Sequence, residues 1–193
     1  VRSRGLGDVY KRQLEEENLI FQETVKQSKE TAKLHPDSLN TIRIMTLIID
    51  GEVKVLPWCA FRMGIGKSKV DNASFGGIYC KIEEDGTLSN FAYDALGNRF
   101  NKHPDGGDFF NVKFAFMDKV KKLVKEAAQR FPHFRLTGWD IAISEENEPI
   151  IIEANLTMSG MDVIETICGP LFGEYTEKVL ELSLIHISEP TRP

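Results

Sequence analysis

The sequence has little of what marks specialised protein classes. Its three cysteines (Cys59, Cys80 and Cys168) lack the spacing of a metal-binding motif, so we expect reduced thiols in a cytoplasmic protein. No apolar run approaches the roughly 18–20 residues that cross a bilayer, and no signal peptide is recognisable. Glycine and proline, at 15 and 8 residues, are too few for a fibrous or disordered chain.

The charge balance is mildly acidic and therefore argues against a dedicated nucleic-acid-binding protein. The net charge is −5, with 27% charged and 41% apolar residues in a chain of 193. A basic patch is the usual signature of nucleic-acid binding, and the composition does not favour one. The length is sufficient for one domain with a sizeable apolar core.

The two ends of the chain have a relationship that protein termini do not ordinarily have. One codon choice for residues 3–13 is the reverse complement of a codon choice for residues 182–192. A single DNA element read in opposite directions would therefore encode both ends, and it resembles the transposon adapter used to fragment DNA for sequencing. We expect residues 1–13 and 182–193 to be adapter-derived, and residues 14–181 to be a truncated natural domain.

The apolar pattern between these ends predicts an α+β fold with a mainly antiparallel sheet. Asp50-Gly51 separates two β-branched segments and indicates a hairpin. Apolar residues at helical spacing predict a long helix over 112–131. We expect strands at 40–49, 53–61, 75–82, 134–144 and 148–156, a second helix over about 171–181, and loops at 62–72, 101–108 and after residue 156. The histidines His35, His103 and His133 share no ligand spacing, and we expect turn or surface positions for them.

The predicted hairpin 134–156 carries the most distinctive chemistry. With Glu146-Asn147 as a two-residue turn, Asp140 lies opposite Glu153, and Asn155 shares their face. Opposed carboxylates lie about 5 Å apart and repel each other, so a hard cation such as Mg²⁺ would stabilise the pair. Two solvent-exposed acids without an ion are the alternative. This register places an apolar set on the opposite face: Trp139, Ile141, Ile143, Ile150 and Ile152.

The pattern of an aspartate, a hairpin and then Glu153-x-Asn155 resembles the metal-binding signature of the ATP-grasp superfamily. Further stretches are similar to the ribosomal-protein glutamate ligase branch, and closer to the sugar-transfer-associated ATP-grasp proteins of polysaccharide gene clusters. These stretches are Asn-Thr-Ile-Arg at 40–43, Arg62, Val-Asp-Asn at 70–72 and Gly76-Gly77. The resemblance runs from about residue 19 to 161 and implies an inter-lobe linker followed by the C-terminal lobe of an ATP-grasp fold.

The resemblance also implies ATP and Mg²⁺ as cofactors and assigns roles residue by residue. Asp140, Glu153 and Asn155 match the magnesium ligands. Arg43 and Arg62 match basic residues that face phosphate or the acyl-phosphate intermediate. Asn72 matches a polar residue beside the phosphates, and Gly76-Gly77 a close backbone approach. Residues 21–25 match the linker beside adenine, with Glu23 or Glu30 near the ribose.

A carboxylate–amine ligase acting through an acyl phosphate, in polysaccharide or cell-envelope biosynthesis, is the function that this resemblance implies. Its partners would be a small-molecule carboxylate and an amine or sugar-linked substrate, with neither nucleic acid nor a membrane span. The family's first lobe should precede residue 19, so we expect this fragment to be inactive alone. A non-catalytic nucleotide-binding module and a scaffold whose acidic hairpin binds no metal are the alternatives. The oligomeric state is not indicated.

Overall fold

The computed structural model describes residues 23–71, 76–157 and 160–188 and shows one sheet with helices on both faces. The strands run in the order β5-β4-β3-β2-β1-β6-β7, and every neighbouring pair is antiparallel. The elements in chain order are α1 (Lys29–Ala32), β1 (Thr41–Ile49), β2 (Glu52–Met63), β3 (Ile78–Ile82), β4 (Leu88–Asp94), β5 (Arg99–Phe100), α2 (Met117–Ala128), β6 (Leu136–Ile143), β7 (Pro149–Asn155), α3 (Met161–Cys168), a 3₁₀ turn (Gly173–Tyr175) and α4 (Thr176–Ser188). The predicted α+β class is confirmed.

The β1–β2 hairpin forms because its turn residues tolerate a left-handed backbone. Asp50 and Gly51 have φ values of 52° and 80°, as a type I′ turn requires. The strand β2 is longer than predicted and continues to Met63. Arg62, expected at the start of a loop, therefore lies within the sheet, paired with Thr41 on one side and Tyr79 on the other.

One face of the sheet packs against α2 and forms the larger apolar core. Val120 and Val124 of the helix are fully buried and join Phe61 and Trp139 in this cluster. The helix is shorter than the predicted 112–131 because its first residues pair with the turn after β3. Phe114 donates a backbone hydrogen bond to the Gly86 carbonyl, which holds residues 112–116 outside the helix.

The opposite face packs against the C-terminal helices. Met45 and Ala60 of the sheet contact Ile164 of α3 and Leu171 in a second buried cluster. The segment of helix α3 was predicted as loop, because the helix follows Gly160 and, at eight residues, is too short to show a clear helical periodicity. The final helix begins later than predicted and extends to Ser188. No helix in the described part of the chain is long and apolar enough to span a membrane.

The β6–β7 hairpin reaches the predicted pairing by a different route. Ser144 exchanges backbone hydrogen bonds with Glu148 and Asn147, so the turn has an additional residue and Asn147 adopts a φ of 59°. An irregularity at Ile152 then restores the offset. Ile150 is consequently opposite Ala142 and 36% exposed, so its predicted place on the apolar face is wrong. Ile151 packs against that core instead.

Candidate functional site

Three charged residues lie side by side across three neighbouring strands. Glu153 of β7 pairs with Asp140 of β6, and Asp140 pairs with Arg43 of β1. Directly paired residues project from the same face of a sheet, here the face that also carries α3. The predicted juxtaposition of Asp140 and Glu153 is confirmed, whereas the position of Arg43 beside them depends on a pairing between distant segments.

The Asp140 carboxylate is buried and is held by two arginines. Arg43 donates from Nε to Oδ1 at 2.5 Å and from Nη2 to Oδ2 at 2.9 Å. Arg62 Nη1 lies 2.8 Å from Oδ2, and Asp140 is only 5% exposed. Burial opposes ionisation of Asp140, but the hydrogen bonds from Arg43 and the charge of Arg62 outweigh it and lower the pKa.

Arg62 has a second acidic partner that sequence reasoning did not assign. Asp71 Oδ1 lies 3.4 Å from Arg62 Nη2, and the Thr41 hydroxyl donates to the other Asp71 oxygen. Burial raises the pKa of Asp71, and the charge of Arg62 only partly offsets that effect. Asp71 lies in the Val-Asp-Asn stretch that carried the resemblance, but its pairing with Arg62 needed the fold.

The buried guanidinium of Arg62 has a hydrogen-bond donor that no described residue accepts. Arg62 is 9% exposed, and its Nε has no hydrogen-bond acceptor among the residues that the structure describes. A buried polar group without a partner costs about 1–3 kcal/mol, and such groups call for an explanation. A phosphate or carboxylate oxygen is the acceptor that suits a guanidinium. The residue therefore fits an anionic ligand.

The residues expected to bind magnesium differ in their surroundings. Glu153 is exposed, and its carboxylate makes no hydrogen bond or ion pair with any described residue. Asn155 Nδ2 donates to the Gly138 carbonyl at 3.4 Å. Both oxygens of Asp140 already accept from arginine, but a carboxylate has about four acceptor positions. The oxygen set thus fits a hard cation at Glu153 and Asn155, with Asp140 sharing an oxygen.

The other predicted site residues that the structure describes make no hydrogen bond or ion pair with this group. Asn72 lies outside the described residues. Gly76 is exposed with a φ of 83° and has nothing near its Cβ position, while buried Gly77 directly precedes β3. Glu23 is exposed and makes no hydrogen bond or ion pair with the described arginines and aspartates of this group. Glu30 lines a groove of about 470 Å³ that none of the arginines or carboxylates of the site borders.

The histidines were expected at turn or surface positions, and His35 and His103 lie in turns but not at the surface. His35 and His103 are buried and stack with ring centroids 4.9 Å apart. His103 Nε2 lies 2.8 Å from the Gly64 carbonyl, and its Nδ1 accepts from the Asp105 backbone N–H. Their ring nitrogens and an Asp105 oxygen lie close together, but carbonyl and N–H partners occupy the His103 nitrogens. These contacts hold residues 64–66 in place. Of the three histidines discussed, His133 is exposed, as predicted.

An antiparallel sheet with helices on both faces, bearing arginines and carboxylates on one of them, has the architecture expected of an ATP-grasp lobe. The family model for sugar-transfer associated ATP-grasp proteins matches residues 6–174, and the chain belongs to this family. No curated protein and no solved structure matches the chain. The family and the fold thus agree with the resemblance seen in the sequence.

Proposed function

We propose that this ATP-grasp chain is part of an ATP- and Mg²⁺-dependent carboxylate–amine ligase of polysaccharide or cell-envelope biosynthesis. It would act in the cytoplasm on small-molecule substrates through an acyl phosphate. The buried Arg62 guanidinium, with an unsatisfied Nε beside Asp140 and Arg43, is the observation that carries the proposal. A buried cation with a free donor is a costly arrangement unless an anion completes it.

The arginines would stabilise negative charge on the group being transferred. Arg43 and Arg62 project from neighbouring strands, and Asp140 contacts both. Charged donors fixed before a ligand arrives stabilise developing charge without reorganisation. Phosphoryl transfer depends on such positioning and charge neutralisation rather than on a nucleophilic side chain.

The side chains of Asp140, Glu153 and Asn155 would hold the metal. Glu153, which is exposed, and Asn155 would each supply an oxygen from β7, and buried Asp140 would supply one from β6. Magnesium, when bound, would neutralise phosphate charge at this place. The roles of Asn72, Gly76 and Gly77 beside the phosphates and of Glu23 near the ribose belong to the same proposal and derive from the family resemblance.

A non-catalytic nucleotide-binding module is the second candidate. Both Asp140 oxygens accept hydrogen bonds from Arg43. These contacts favour a site in which Asp140 orients arginines instead of binding metal. The two candidates share nucleotide binding. They differ in phosphate release that depends on both a carboxylate and an amine.

Calorimetry with a non-hydrolysable Mg-ATP analogue tests the proposal on the full chain. We expect Arg62→Gln and Glu153→Gln each to weaken binding by about tenfold or more, the effect of losing one charge-assisted contact. Arg135→Gln changes an exposed arginine and should leave binding unchanged. Binding of equal strength in all four proteins would contradict the site.

A further inference from the structure

A small cavity lies between the strands β3 and β4 and the helix α3. Its volume is about 80 Å³, and its lining combines two carboxylates, two hydroxyls and three aliphatic side chains: Tyr79, Asp94, Ala95, Asp162, Val163, Thr166 and Ile167. One ordered water needs about 10–15 Å³ of such space. The cavity therefore has room for a group of a few non-hydrogen atoms.

Tyr79 connects this cavity to the site already described. It pairs directly with Arg62 across β2 and β3, so both side chains project from the same face. Tyr79 is 2% exposed, and its hydroxyl makes no hydrogen bond with any residue in the described part of the chain. The side chain is therefore held in place by burial, while its hydroxyl at the cavity wall has a donor and an acceptor position available to a ligand.

The polar lining has the character of a cation site. Asp94 is occupied by its own turn, since its carboxylate accepts from the Leu96 and Asn98 backbone N–H groups. Asp162 lies in the first turn of α3, and its carboxylate has no hydrogen bond or ion pair with a described residue. No lysine, arginine or histidine lines the cavity. The charges of Arg62 and Arg43 act on Tyr79 from outside the cavity, so the preference for an ammonium group, which carries only donors, comes from the two carboxylates of the lining.

We propose that this cavity is the subsite for the acceptor amine, which binds as a short aliphatic ammonium with its nitrogen near Asp162 and the Tyr79 hydroxyl. Val163 and Ile167 would contact its aliphatic part. The assignment as an acceptor rests on the proposed ligase function, because it uses the adjacency of Tyr79 to Arg62. The preference for ammonium rests only on the lining.

Ethylamine hydrochloride, titrated at neutral pH into the ¹⁵N-labelled full chain, is the probe. We expect saturable amide shifts at Tyr79, Ala95 and 163–167. Asp162→Asn should weaken binding by about tenfold through loss of a charge-assisted hydrogen bond. Tyr79→Phe keeps the buried ring and should weaken binding about threefold to tenfold. Asp118→Asn, at the same place in the first turn of α2, is the matched control and should not change it.

Ethanol has nearly the same size without the charge and should produce no saturable shift at these amides. Equal responses to ethanol and ethylamine, unchanged affinity in Asp162→Asn, or no saturable shift would each overturn the subsite. Failure of the ligase proposal would give a different result. The Mg-ATP analogue would not bind at the arginines in calorimetry, while the ethylamine titration would still give its expected outcome. The two proposals can therefore fail separately.

Discussion

Arg43 and Asp140 are nearly one hundred positions apart in the chain, yet they are direct partners across β1 and β6 and share two hydrogen bonds. The side chains of both are largely buried, at 13% and 7% exposure. The pair therefore combines two tasks. It neutralises charge inside the fold, and it sets the orientation of a guanidinium on the face that we propose to bind nucleotide.

Removing the charge of Asp140 should destabilise the protein strongly. Asp140→Asn leaves two buried guanidinium groups with a weaker partner, and breaking a buried ion pair costs about 3–5 kcal/mol. Urea unfolding measures the loss. Glu153→Gln removes an exposed carboxylate and should change stability by less than about 0.5 kcal/mol. Equal effects of the two substitutions would show that the Arg43–Asp140 contact contributes little to folding.

A methyl group at position 160 should disturb Arg43. Gly160 has a φ of 60°, and its added Cβ would lie 3.0 Å from Arg43 Nη1. Gly97 has a φ of 82° with open space around that position, so Gly97→Ala has a similar backbone penalty of about 1–2 kcal/mol. Gly160→Ala should show that penalty together with weaker binding of the Mg-ATP analogue in calorimetry. The same loss of binding in Gly97→Ala would contradict a specific effect on Arg43.

Acidification should destabilise the fold through protonation of His103. Burial lowers the pKa of His103, and the nearby His35 acts in the same direction, while Asp105 opposes both. The unfolded chain therefore binds a proton near the ordinary pKa of about 6.5, before the folded chain does. The stabilising contribution is complete above that value and decreases as the pH falls below it.

Urea midpoints between about pH 8 and pH 5.5, a range that spans the ordinary histidine pKa, measure this decrease. His133→Gln alters an exposed histidine and should retain the wild-type pH dependence. His103→Asn should be less stable throughout, with a flatter dependence. A wild-type midpoint that does not change over this range would refute the assignment.

The cysteines should be unreactive in the folded protein. Cys59 and Cys80 are 2% and 0% exposed, and burial raises the pKa of each thiol, and that of Cys168, to about 12. Because the thiolate is the reactive form, a disulfide reagent at pH 8 should modify none of them quickly. All three should react in urea. Rapid reaction of any one in the native protein would contradict its described environment.

Local pattern was sufficient for the elements that depend on neighbours in the chain. The Asp50-Gly51 hairpin and the helix around Val120 and Val124 follow from turn chemistry and helical spacing. The facing of Asp140 and Glu153 also followed from alternation. The position of Ile150 did not follow from alternation. The additional turn residue shifts the register by one, and the irregularity at Ile152 shifts it back before Asp140 and Glu153, so Ile150, which lies between the turn and Ile152, keeps the shifted register.

The sequence by itself determined the α+β class, the antiparallel sheet and the acidic hairpin, because these arise from periodicity, turn residues and β-branched segments within short stretches. Only the tertiary structure decided that Arg43 and Arg62 converge on Asp140, that Asp71 supports Arg62, and that His35 stacks on His103. Each of these contacts joins separate segments of the chain. Strand order and side-chain burial decide which charges meet, and no local pattern encodes either.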